Sequence, residues 1–149
     1  MVREGISFHG KTQLVFVPGN LNARRYIDEI LVPVAQPHLI QMGQDAIFQQ
    51  DNARPHTARI VSNHFQQYQV NVMGWPACSP DLNPIEHVWD QLGKAVRARI
   101  TPQHTLVHLR QFLQEEWDRL PQHYIRVLIN SMRRMCNCCV EARGGPTKY

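Results

Sequence analysis

The chain has 149 residues, 43% of them apolar, enough for one domain with a buried core and short for two. Sixteen Lys and Arg against twelve Asp and Glu leave a formal charge of +4 and a pI near 9.1, a mild lean towards anionic partners that does not by itself specify nucleic acid. No window holds the roughly 18 unbroken apolar residues of a membrane-spanning helix, and no charged-then-apolar leader opens the sequence, so an intracellular protein with no membrane partner is expected.

In chain order, residues 1–18 read as a β-hairpin: Met1 to Phe8, a turn at His9-Gly10-Lys11, then Leu14-Val15-Phe16-Val17, rich in β-branched and aromatic side chains. Asn20 or Asn22 can cap a helix carrying Tyr26, Ile27, Ile30 and Leu31 at helical spacing, which Pro33 and Pro37 are expected to break or restart. Ala46-Ile47-Phe48 reads as a strand that delivers Asp51 at its end. The run Asp51-Asn52-Ala53-Arg54-Pro55-His56-Thr57 then turns into a helix holding Ile60, Val61, His64, Phe65 and Tyr68. Val70 to Met73 makes a short strand, and a proline-rich loop leads to Asn83, which starts a helix with the stripe Ile85, Val88, Trp89, Leu92 and Val96.

Past Thr101-Pro102, one helical face is set by Leu106, Leu109, Phe112, Leu113 and Trp117, and another by Ile125, Leu128, Met132, Met135 and Cys139, with Gly144-Gly145 as the stop. Trp75 and Trp89 read as core anchors. Cys78, Cys136, Cys138 and Cys139 make a poor disulfide framework and lack the C-x-x-C spacing of a zinc site, so reduced thiols are expected. Strands alternating with helices predict an α/β sandwich with some parallel pairing, in a single domain over 1–149 with a sheet-and-helix core to about residue 100 and C-terminal helices beyond.

The chemistry concentrates between Asp51 and Glu86. One carboxylate ends a strand and the other sits on the first turn of a helix, a pairing that suits a divalent-metal phosphoryl-transfer site, in which ions clamp the attacking and leaving oxygens. Asn52 and His56 stand close enough in sequence to hold water, phosphate or the carboxylate itself. The same residues fit plainer roles. Asn83-Pro84-Ile85-Glu86 reads as a capping box with Glu86 reaching back to the Asn83 backbone N–H, Asp51-Asn52 as turn chemistry, and His56 as a capping or surface residue.

Two long runs tip the balance: Gln49-Gln50-Asp51-Asn52-Ala53-Arg54-Pro55-His56-Thr57-Ala58, and Trp75-Pro76-Ala77-Cys78-Ser79-Pro80-Asp81-Leu82-Asn83-Pro84-Ile85-Glu86-His87-Val88-Trp89. Together with Gly5-Ile6-Ser7-Phe8, Gly19-Asn20-Leu21-Asn22, Tyr26-Ile27-Asp28 and Ala142-Arg143-Gly144-Gly145, they make the chain resemble the catalytic domain of mariner-superfamily DNA transposases over nearly its whole length.

That resemblance implies a ribonuclease H-like three-layer fold with a mixed sheet and a cut-and-paste transposase using three carboxylates with Mg²⁺ or Mn²⁺. Asp51 matches the second carboxylate and Glu86 the third, both metal ligands, at the interval typical of one branch. It also implies that the first carboxylate, on a first and central strand, is missing here. Asp28 and Asp45 are not credible replacements. Arg3-Glu4 puts two charges where relatives carry a tryptophan and a small residue, in a strand expected to be half-buried. The expectation is a transposon-derived chain that binds metal weakly and does not cut DNA alone.

Transposon-end DNA is the implied partner, with Arg54, Lys94, Arg97, Arg99, Arg133 and Arg134 as candidate phosphate contacts, and nuclear residence follows by implication. A homo-oligomer, or pairing with an intact transposase through an open sheet edge, is the competing partner. A non-catalytic interaction remnant is the competing function.

Overall fold

The computed structural model describes residues 1–101 and 104–145. Pro102, part of the expected break before the last two helices, lies outside them. Contacts divide the chain into two compact units: Met1–Gly5 with Thr12–Ser79, and Ile6–Lys11 with Pro80–Tyr149.

The first unit opens with the expected hairpin, but its regular ladder is far shorter than the apolar runs suggest. Strand β1 (Val2–Arg3) pairs antiparallel with β2 (Val15–Phe16), Val2 opposite Phe16 and Arg3 opposite Val15, and the Met1 and Val17 main chains bond each other at the end. The next bond, Thr12 N–H to the Gly5 carbonyl at 2.8 Å, is out of that register by one residue. Gln13 and Leu14 therefore face Glu4 alone, a bulge that ends the ladder. A β-carbon at Gly5, beside it, would stand 3.3 Å from the Thr12 methyl, a tight contact.

Asn22 caps the next helix, its side chain accepting from the Arg25 N–H at 2.9 Å. Helix α1 (Ala23–Tyr26) runs without interruption through a π-helical stretch, Ile27–Ala35, into α2 (Gln36–Met42). The expected break at Pro33 does not occur. The wider turn bonds each N–H five residues back, as Gln36 does to Leu31, and the prolines are absorbed by this change of hydrogen-bond spacing.

Strands β3 (Ile47–Phe48) and β4 (Asn71–Val72) pair in parallel, as the alternating pattern predicts. Their crossover contains α3 (Arg54–Thr57) and α4 (Arg59–Gln67), separated by the extended residue Ala58. The mixed sheet thus comes, among the described residues, as two two-stranded ladders, one antiparallel and one parallel. The core is one cluster built on Val17, Tyr26, Ile30, Leu31, Val61 and Phe65, which holds the end of β3 through Phe48 and so fixes where Asp51 begins.

The second unit contains α5 (Pro84–Arg99), α6 (Leu106–Arg119) and α7 (Gln122–Glu141), preceded by a 3₁₀ turn at Pro80–Leu82. Its buried side chains are Val88, Leu92, Val96, Trp117, Leu120, Ile125 and Met135. Trp117, not Trp75 or Trp89, is the fully buried tryptophan; the other two are only half-buried. Leu106, assigned to the α6 apolar face, is 79% exposed because the first turn of that helix projects beyond its packing.

Within this unit Lys11 donates to the Trp117 and Leu120 carbonyls at the end of α6, and its charge lies 5.3 Å from the Trp117 ring centre. Helix α7 ends as expected near Gly144, with one difference. Arg143 takes the first left-handed position and donates to Val140, while Gly144 donates to Cys139, completing a Schellman motif. The four cysteines are free thiols, as anticipated. No helix among the described residues is long and apolar enough to cross a membrane.

Candidate carboxylate site

In the first unit, Asp51 leaves β3 and folds its side chain back over the following turn. Its Oδ1 accepts from the Ala53 N–H at 3.0 Å and from His56 Nδ1 at 2.5 Å. A carboxylate only accepts, so Nδ1 carries the proton and Nε2 is left as a bare acceptor. His56 is 5% exposed, and its Nε2 is buried with no hydrogen-bond partner.

The histidine is held on three sides. Its ring lies 4.3 Å from the Tyr26 ring, its carbonyl accepts from Gln50 Nε2 at 3.3 Å, and Gln50 Oε1 in turn accepts from the Tyr26 hydroxyl at 2.9 Å. Of the roles open to His56 from sequence, the structure selects the one that orients the carboxylate. Asn52 donates to the Trp75 carbonyl at 2.9 Å, tying the loop after β4 to the Asp51 turn. Tyr26 and Gln50, read from sequence as part of a helix face and of the Asp51 run, were not assigned to the site; the adjacency of Gln50 to Asp51 was the available signal.

The electrostatics favour a charged Asp51 beside a neutral histidine. Partial burial raises the Asp51 pKa, but the Ala53 N–H, His56 and the Arg3 charge together lower it below the ordinary carboxylate value. Burial drives the His56 pKa down against the raising effect of Asp51, and Arg3 lowers it further. The Tyr26 hydroxyl is pushed well above its usual pKa, chiefly by burial. No hydrogen bond among the described residues engages the second Asp51 oxygen, and the side chain is 51% exposed.

In the second unit, Glu86 stands in the first turn of α5 behind the N-cap Asn83, whose side chain accepts from Ile85 N–H at 3.4 Å. The capping-box role is not taken up, because the Asn83 N–H already donates to the Pro80 carbonyl at 2.8 Å. Glu86 is exposed, and among the described residues its carboxylate neither forms an ion pair nor accepts a hydrogen bond.

The candidate phosphate contacts separate into two kinds. Arg99 is bound at 2.5 Å to Glu115 and at 2.6 Å to Glu116 and stacks 4.2 Å from Phe112, so its charge is spent inside the helical unit. Lys94 pairs with Asp90 one turn away, both well exposed, while Arg54 and Arg97 are exposed and make no ion pair among the described residues. Asp28 is paired with Arg24 and exposed, which suits a helix-surface residue, and Asp45 lies in an exposed turn.

Mg²⁺ and Mn²⁺ take hard oxygen donors, and the second Asp51 oxygen and the Glu86 carboxylate are of that kind. No group of three or more His, Cys, Asp or Glu side chains among the described residues can hold an ion. Each donor therefore fits in kind, and neither alone fills a coordination sphere.

Comparison with known proteins places these residues in a lineage. The Tcb1 transposable-element transposase of Caenorhabditis briggsae is 39% identical over 132 residues, covering 84% of this chain and 46% of that protein. The Tc1 transposase of Caenorhabditis elegans is 37% identical over 123 residues, covering 82% and 44%. The chain thus spans less than half the length of these relatives.

The crystal structure of the Mos1 mariner transposase catalytic domain superposes with a TM-score of 0.77 at 22% identity, covering 99% of this chain and 82% of that one. The same domain with Raltegravir and Mg gives 0.77 at 21% identity and covers 99% and 83%. A Mos1 paired-end complex with the left transposon end gives 0.71 at 23%, covering 97% and 46%. The ribonuclease H-like α/β fold expected from sequence is the fold observed. The family model described as DDE superfamily endonuclease matches residues 4–107, a span that takes in both Asp51 and Glu86, and the chain belongs to that family.

Proposed function

We propose that this chain is the catalytic-domain segment of a Tc1/mariner-type transposase that acts on transposon-end DNA, with Asp51 and Glu86 each an oxygen ligand of Mg²⁺ or Mn²⁺. One observation carries the reading most directly: Glu86 has no structural employment. Its capping role is pre-empted by Pro80, it is exposed, and it makes no ion pair among the described residues. Similarity to Tc1-type relatives and to the Mos1 domain with Mg supports the reading.

When bound, the metal would supply charge stabilisation for in-line displacement at a phosphate. The chain's own residues do the rest. His56 and the Ala53 N–H hold Asp51 ionised and aimed. The start of α5 presents Glu86, while Arg54 and Arg97 offer phosphate contacts whose strength falls with salt. With two carboxylates and no three-donor group among the described residues, the isolated chain is proposed to bind DNA and metal without cutting. Nuclear residence and assembly as paired copies belong to the same proposal; the Mos1 paired-end complex supports the latter.

Duplex DNA carrying a transposon terminus, end-labelled and incubated with the chain and Mn²⁺, tests this. Retention should rise with Mn²⁺ in the parent and not in Asp51→Asn or Glu86→Gln. Retention indifferent to Mn²⁺ contradicts the metal reading, and robust nicking abolished by Asp51→Ala contradicts the proposed inactivity.

A further inference from the structure

At 20 residues α7 is the longest helix of the second unit, and its outer face is uniform in charge. Helical spacing puts Ile125, Leu128, Met132, Met135 and Cys139 on the inward side and Arg126, Asn130, Arg133, Arg134 and Asn137, all exposed, on the other. From Gln122 to Val140 the helix carries three arginines and no Asp or Glu, and Glu141 at its last position is its only acid.

Elsewhere in this unit a basic side chain is matched by a carboxylate. Arg99 lies 2.5 Å from Glu115 and 2.6 Å from Glu116, Arg119 2.8 Å from Glu116, and Lys94 2.6 Å from Asp90. On α7 the pattern changes. No ion pair or hydrogen bond among the described residues uses the Arg133 side chain, and the partners of Arg126 are neutral: its Nε donates to the Phe8 carbonyl at 3.0 Å, and its guanidinium lies 5.4 Å from the Phe8 ring. Those contacts order Arg126 without cancelling its charge. A row of uncompensated like charges repels itself and adds nothing to the packing of the helix.

We propose that the outer face of α7 is a contact surface for the backbone of duplex DNA, one that works without Asp51, Glu86 or a metal. The inference rests on the reading of DNA as this chain's partner and names a place where it is held. At about 1.5 Å per residue, Arg126 to Asn137 make a stripe about 16 Å long, and phosphates of one strand recur every ~3.4 Å of duplex axis, so the stripe spans several of them. The guanidinium fork matches phosphate oxygens, and the Asn130 and Asn137 amides can bond to phosphate or to base edges. An anionic lipid surface calls instead for Trp, Phe or Leu beside the basic residues, and none of these is exposed on α7.

The test is fluorescence anisotropy of a labelled duplex titrated with the full chain in EDTA, and again in Mn²⁺, at several salt concentrations. Parent, Arg133→Gln, the double variant Arg126→Gln with Arg133→Gln, Asn130→Glu and, as a control for charge lost elsewhere, Arg59→Gln on exposed α4 would be compared after thermal melts confirm folding. Each phosphate contact adds about 0.9 to the slope of log affinity against log salt, so from about 50 to 200 mM salt the parent in EDTA should lose about tenfold more affinity than the double variant. Arg133→Gln should show about half of that change in slope, Asn130→Glu should weaken binding at low salt, and Arg59→Gln should keep the parent's slope.

A parent that binds no duplex in either condition defeats the DNA reading and this surface with it. Binding that needs Mn²⁺, that the α7 variants share unchanged, or that Arg59→Gln weakens equally leaves the DNA reading standing and removes α7 from it. Capture by phosphatidylserine vesicles that Arg133→Gln abolishes while duplex binding stays intact would assign the face to lipid and overturn the proposal. Arg133→Gln removes no hydrogen bond or ion pair among the described residues, so it decides the matter if the double variant, which loses the Phe8 bond, fails to fold.

Discussion

The two units hold their carboxylates in opposite ways. Asp51 is built into a polar network, with His56, Tyr26, Gln50 and the Ala53 N–H all committed to its placement and ionisation. Glu86 is placed by backbone alone: Asn83 and Pro84 start the helix, and nothing among the described side chains holds the carboxylate. A group in a network is oriented before any ligand arrives, at the cost of burying a histidine with one nitrogen unsatisfied. A group on a helix start is free to follow its ligand and contributes little to the fold beyond its favourable place at the helix N-terminus.

That contrast can be broken or sharpened by mutation. The largest effect tests the scaffold of the Glu86 unit: Trp117, 1% exposed, should cost about 3–5 kcal/mol in urea denaturation when replaced by Ala. A loss under about 1 kcal/mol would show that α5 is not held by this core. Next comes the network. His56→Ala should cost about 1–3 kcal/mol, through lost packing on Tyr26 and the lost bond to Asp51, and Asp51→Ala about 1 kcal/mol, the carboxylate being half-exposed. Glu86→Ala should stay within about 0.5 kcal/mol, and equal costs at the two carboxylates would erase the distinction drawn here.

Acid should expose the difference too. His38, His56 and His64, all in the first unit, have pKa values lowered chiefly by burial. Each takes up a proton more readily when unfolded, so stability is flat above about pH 7 and falls as pH drops through about 6.5 towards the depressed folded values. Asp51, whose folded pKa is also depressed, adds a further loss only below about pH 4. Denaturation midpoints measured from pH 8 to 4 should show this slope, and His56→Gln should flatten part of it. An unchanged slope would mean that His56 titrates normally.

The smallest effect concerns DNA. Arg97→Ala should weaken duplex binding modestly and reduce its salt dependence, while Arg99→Ala should act through the loss of its two glutamate partners, lowering the melting temperature instead. Fluorescence anisotropy at two salt concentrations separates the two.

How far the sequence could be read follows the same division. The turn at Asp51, the N-cap Asn83, the choice of Asn20 or Asn22 for the earlier cap and the parallel pairing of β3 with β4 were all legible, because each depends on a few adjacent residues or on hydrophobic spacing. What escaped depends on partners distant in sequence. The bond of Arg99 to α6, the contact of Tyr26 with His56, and the burial of a histidine that local pattern assigns to a surface are examples. The π-helical passage of Pro33 escaped for another reason. Its accommodation depends on a five-residue bond spacing that no hydrophobic period announces.

The central claim is that Asp51 and Glu86 are both divalent-metal ligands. The most direct measurement is line broadening of backbone amide signals by substoichiometric Mn²⁺ in the isotopically labelled chain. Broadening at Asp51–Ala53 that is lost in Asp51→Asn, and at Ile85–His87 that is lost in Glu86→Gln, is the predicted result. Broadening confined to one of the two segments, or surviving those substitutions, would contradict it.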